Sequence, residues 1–176
     1  MDTSHSERQI RSWGRRLKRV TLAMLCLVPV AFFFALRWAD LDTLLHLPES
    51  VRIDRHGLSA ADWLVVASLS LIRPLAFVPI LWWLYRLFAS FETGVVFSVH
   101  NARLIKYCGL MLIGVDALAI VQGMLIGPVL SQAGVTTPFF SIEVALSYSI
   151  VGLFIYLVSM IMGLAQAIRE EQDLTI

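Results

Sequence analysis

Four polar side chains interrupt the long apolar stretches of this sequence: Arg73, Asp116, Gln122 and Glu143. A charge held inside a bilayer costs about 2.5 kcal/mol or more on insertion scales, so it is retained where it pairs, binds or conducts. Two chemistries fit the quartet. It forms a buried polar network that fixes the register of packed helices, or it lines a path for ions, protons or a small molecule. Arg73 lies near the middle of the second apolar run. Asp116 lies roughly 14 Å into the third by helical rise. A direct Arg73–Asp116 pair is one arrangement, opposed by an offset along the axis that the lean of side chains toward the helix N-terminus widens. Gln122 is closer in depth to Arg73 but on another face from Asp116, so the pairing stays open. Glu143 falls in the first turn of the fourth apolar run, near its outer end.

The remaining reactive residue types are dispersed. His5 is in an N-terminal arm, His46 and His56 are in a polar loop, and His100 is in a central connector. None is mid-helix, where a haem held in a helix bundle would need its axial ligand. His46, His56 and Asp54 share a loop, but a solvated loop accounts for them better than a metal site does. Cys26 and Cys108 are far apart and form no C-x-x-C, which argues against thiol–disulfide exchange and against zinc. No phosphate-binding loop, dinucleotide turn, H-E-x-x-H or nucleophile elbow is present. The expectation is a non-enzymatic protein without metal or cofactor.

The elements that must position these residues are membrane helices. Of 176 residues 58% are hydrophobic and 15% charged, with a mean hydropathy of +0.76. Soluble domains carry about 25% charge, and this much apolar surface needs lipid around it. A net charge of +1 leaves no electrostatic footprint for direct nucleic-acid binding. Residues 1–19 form a basic arm whose Ile10, Trp13 and Leu17 have helical spacing, suited to a short amphipathic helix on the membrane surface. Apolar runs follow at about 20–36, 60–88, 107–130 and 142–165, each long enough to span. Residues 166–176 are a charged tail. The second run is longer than the hydrocarbon core, and Pro74 and Pro79 allow it to kink. Ser59 or Ala60 starts it with Asp62 in the first turn, Gly94 closes it, and Ser98 caps the helix that leads into the third run.

Lys and Arg residues set the orientation. The arm has six: Arg8, Arg11, Arg15, Arg16, Lys18 and Arg19. The connector has Arg103 and Lys106 beside Arg86, whereas the 131–141 loop has none. The predicted fold is therefore an all-α integral membrane protein, four transmembrane helices arranged as two antiparallel hairpins with both termini and the connector cytoplasmic. On the third run Gly109, Ile113, Asp116, Ile120, Gly123 and Gly127 share one face, and Gly123 and Gly127 make a G-x-x-x-G. The fourth offers Ala145-x-x-x-Ser149 and Ser159-x-x-x-Gly163. Small residues in such stripes let helix backbones approach, so the third and fourth helices are predicted to pack closely, with Asp116 turned inward.

The connector and tail carry a family resemblance. Gly94, Val96-Phe97-Ser98, Asn101, Arg103-Leu104 and Gly109 match in the connector. Gly163 and the run from Arg169 to Ile176, ending Asp-Leu-Thr-Ile, match in the tail. Here the chain resembles the uncharacterised bacterial four-helix membrane proteins catalogued as domain of unknown function 2975. Members usually carry an acidic residue soon after the position of Ser98, where this chain has Val99-His100. The resemblance implies a bacterial inner-membrane location and a gene beside a small helix-turn-helix regulator. It supplies no activity, cofactor or catalytic residue.

Because the matches lie in the two cytoplasmic segments, the expected function is a sensor or anchor engaging a cytoplasmic partner. The docking candidates are Phe97, Ser98, Asn101, Arg103, Asp173, Leu174 and Ile176. The rival is a small transporter or channel using Arg73, Asp116, Gln122 and Glu143. The bilayer itself, a helix-turn-helix regulator and a second copy of the chain are the expected partners.

Overall fold

The computed structural model describes residues 3–38, 40–45, 47–48, 51, 53, 58–96, 98–140 and 146–173. All regular structure in them is helical: α1 (Thr3–Trp38), α2 (Leu41–Leu45), α3 (Ala60–Glu92), α4 (Val99–Gln132) and α5 (Ser147–Asp173). Four stretches are long and apolar enough to cross a membrane: Gln9–Trp38, Ala60–Glu92, Val99–Gln132 and Ser147–Arg169. The long helices pack in chain order, α1 on α3, α3 on α4 and α4 on α5. Outward-facing Leu27, Phe33 and Phe34 on α1 and Leu153, Phe154 and Leu157 on α5 are exposed, as side chains facing lipid would be.

α1 is a single 36-residue helix, not a surface-lying arm followed by a separate span. The sequence between Leu17 and Val20 holds no glycine or proline to break it, and contacts with α3 hold the basic part in line. A Cβ on Gly14 would lie 2.8 Å from the Glu92 backbone nitrogen, so the two backbones touch there. One turn further on, Arg15 Nε and Lys18 Nζ donate to the two carboxylate oxygens of Glu92 at 3.1 and 2.9 Å. Lys18 also lies 5.7 Å over the Tyr85 ring.

The helix ends follow local chemistry. Ser59 caps α3 in a reciprocal capping box with Asp62, each satisfying an otherwise orphaned N–H. α3 closes at Gly94, whose φ of +89° is the left-handed conformation that glycine adopts without strain. The Val95 N–H then donates back to Ser90 O and the Gly94 N–H to Phe91 O, the two bonds of a Schellman motif. α4 ends the same way at Gly134.

The polar loop after α1 hides an apolar face. Leu41, Leu44 and Leu45 recur at helical spacing. Leu41, Leu45 and Ile53 are buried against Val66 of α3 and Ile126 and Leu130 of α4, plugging one end of the α3–α4 contact. A second cluster around Ile80, Cys108 and Val115 fills its middle. His46 and His56 lie outside the described residues. Among the described residues no three His, Cys, Asp or Glu side chains converge.

Candidate functional site

Among the described residues, polar side chains link α3, α4 and α5 at two places, both on α4. In the first, Arg73 Nε donates to Gln122 Oε1 at 3.0 Å, and Gln122 Nε2 donates to the Leu69 carbonyl at 2.9 Å. Gln122 is 3% exposed. Its amide thus both accepts from and donates to α3, and an α4 side chain engages a carbonyl one turn before Arg73. Hydrogen bonds between membrane helices are worth about 0.6 kcal/mol on average and up to about 1.7, so this contact adds register more than stability.

In the second, Asp116 is 2% exposed and its Oδ2 accepts from the Ser149 backbone N–H at 2.6 Å. That N–H belongs to the first turn of α5, whose first helical bond runs from Ile150 N to Leu146 O. The first N–H groups of a helix have no partner within it, and a carboxylate there also meets the positive end of the helix dipole. Asp116 therefore caps α5 from the neighbouring helix. The two charges are engaged separately, Arg73 with Gln122 and Asp116 with Ser149.

This contact revises the expected start of the fourth helix. The apolar run begins near 142, but α5 begins at Ser147, and Glu143 therefore precedes the helix and lies outside the described residues. The described segment before it packs on α4. A Cβ on Gly127 would run into the Phe139 backbone, so Gly127 makes room for this segment and not for α5.

Close packing of α4 on α5 is present, with partners that the small-residue stripes predict only in part. A Cβ on Gly109 would stand 2.7 Å from Gly152 O and 2.9 Å from Tyr156 N, and one on Gly152 2.5 Å from Gly109 O. Gly152 is absent from the predicted stripes. It falls three residues after Ser149, outside the four-residue repeats that the stripes follow. Ser159 is buried and its hydroxyl donates to Tyr156 O at 2.6 Å. Gly123 is half-buried. Gly163 has open space where a Cβ would stand and so takes no part in this contact.

The connector is a built turn. Ser98 caps α4 by accepting from Asn101 N–H. Asn101 is fully buried, and its Nδ2 donates to Val95 O at 2.8 Å and Val96 O at 3.0 Å. The family resemblance makes Asn101 a docking candidate, but its burial turns it to holding the turn together. Arg103 and His100 are exposed. Phe97, Leu174 and Ile176 lie outside the described residues, as does the side chain of Asp173. Beside the turn, Ile10, Trp13 and Leu17 of α1 with Phe91 and Val96 line an open apolar groove of about 360 Å³.

Four long apolar helices, with polar side chains spent on contacts between them, define a multi-pass membrane protein. The family model described as a protein of unknown function (DUF2975) matches residues 35–176, and the chain belongs to that family. The match covers α3, α4 and α5 and leaves out most of α1. Neither a curated protein nor a solved structure matches the chain.

Proposed function

We propose that this is a non-enzymatic anchor or sensor of the bacterial inner membrane, four spans in two antiparallel hairpins with both termini and the connector cytoplasmic. Its cytoplasmic end engages a soluble partner, for which the family resemblance suggests a helix-turn-helix regulator. The observation that carries this reading is an overhang at one end of the helix row. Gly14 lies beside Glu92, the last residue of α3, so α1 continues beyond α3 from Gly14 back to Thr3, roughly 16 Å by helical rise. Asp116 meets Ser149 and Gly109 meets Tyr156. Continued at one rise per residue, that register sets Gln166 beside the first turn of α4 and leaves the rest of α5 projecting by roughly 10 Å. Between the two projections lies the connector. Trp13, Val95, Val99 and Ile168 are exposed around it, an apolar surface with basic neighbours where a polar helix end would be expected.

The transport reading asks the buried charges to be available to a moving ion. Both described charges are instead held in bonds between helices, which favours the register role. The two readings separate in one comparison. A chain truncated after Gln172 is expected to lose its soluble partner in recovery from native membranes, while Asp116→Asn retains it. Recovery of the same partners by full-length and truncated chains contradicts the docking reading.

A further inference from the structure

We propose that a groove between the first turns of α4 and the middle of α5 binds the phosphate of an anionic phospholipid, with Arg103 and Lys106 as its recognition residues. The groove holds about 310 Å³ and is lined by Val99, Ala102, Tyr107, Ser159 and Met160 together with the two cations. Two observations converge on an anion. Arg103 and Lys106 are three residues apart on α4 and share a face, and both are exposed. Among the described residues neither has an acidic partner, since both ion pairs there use Glu92. Two cations with no acidic partner among the described residues raise the local positive potential, and an anion relieves it.

The surroundings select a lipid as the source of the phosphate. Lys106 Nζ sits 5.5 Å over the Tyr156 ring, which keeps the ammonium against α5. Exposed Tyr107 and Met160 offer apolar surface next to the cations, where acyl chains would lie. Basic pockets between membrane helices at the membrane surface are a recurrent way of holding anionic headgroups. On α1, Arg16 lies over the Trp13 ring instead. The inference rests on α4 and α5 being membrane helices but not on which side their ends face.

The test uses the full-length protein purified into nanodiscs of phosphatidylcholine containing one-fifth phosphatidylglycerol, followed by native mass spectrometry of the released protein. The wild type is expected to retain phosphatidylglycerol selectively. Arg103→Gln with Lys106→Gln is expected to retain it roughly 25-fold less, as two cations each worth about a factor of five imply. Arg16→Gln with Arg19→Gln, which removes the same charge elsewhere, is expected to retain it as the wild type does. Thermal unfolding in pure phosphatidylcholine checks the fold. There the groove variant should melt with the wild type, and only the wild type should gain stability when phosphatidylglycerol is added. Equal retention by the groove variant, equal loss by the α1 variant, or the same stabilisation of the wild type by inorganic phosphate alone would overturn the proposal.

Discussion

Gly109→Leu is expected to destabilise the protein by about 3 kcal/mol, because the new side chain must push backbone away from backbone. The position leaves nothing flexible to yield: its Cβ would meet the Gly152 carbonyl oxygen at 2.7 Å and the Tyr156 nitrogen at 2.9 Å. Even alanine would force α4 and α5 apart, at a smaller cost. Membrane helices gain little from burying apolar groups that lipid would also solvate, so close backbone approach is the main source of their attraction. Gly163→Ala supplies the contrast. Its Cβ would stand in open space, and replacing glycine within a helix gains about 0.5–1 kcal/mol from reduced backbone entropy. Unfolding in mixed micelles titrated with a denaturing detergent measures both. A loss at Gly163 as large as that at Gly109 would refute the packing described for this pair.

Asp116→Leu is expected to cost about 2 kcal/mol, the penalty for stranding a buried N–H whose acceptor has gone. Asp116→Asn keeps an oxygen toward Ser149 N–H, and asparagine caps a helix about as well as aspartate does. That variant should therefore stay within about 0.5 kcal/mol of the wild type. The same detergent titration reads the difference, and amide hydrogen exchange localises it. In Asp116→Leu, protection should fall first in the opening turn of α5, from Ser147 to Ile150. Equal stability of the leucine and asparagine variants would show that the bond to Ser149 is not what keeps Asp116 in place.

The sequence makes the helices legible because each is bounded by strong local chemistry. Ser59 with Asp62, Ser98 and Gly94 all act at the ends where their side chains or conformational freedom are needed. It also makes legible that Asp116 turns toward another helix and that α4 and α5 pack closely. The partners within that contact are harder to read. A helix that is apolar on every side has little periodicity to show which stripe meets a neighbour. Gly163 belongs to an attractive small-residue pattern and has open space beside it, whereas Gly152 carries the contact.

Two further features depend on distance in space that composition does not encode. The α5 start at Ser147 is set by Asp116, 31 residues earlier in the chain, while hydropathy alone continues the run back to about 142. Gly14 stands in a basic arm where lysines and arginines dominate the reading, and its contact with α3 emerges only when Glu92 is seen between Arg15 and Lys18. Leu41, Leu44 and Leu45 stand at helical spacing, but the charges around them make the segment read as a solvated loop.

The proposed role requires the overhanging end of the helix row to receive a soluble partner. Site-specific photo-crosslinking in intact cells tests it most directly, with the reactive amino acid placed at Trp13, at Ile168 or at Phe154. All three side chains are exposed, but only the first two belong to the overhang. Trp13 and Ile168 are expected to crosslink to one and the same soluble protein while Phe154 does not. Crosslinks from Phe154 alone, or no soluble protein at any of the three positions, would contradict it.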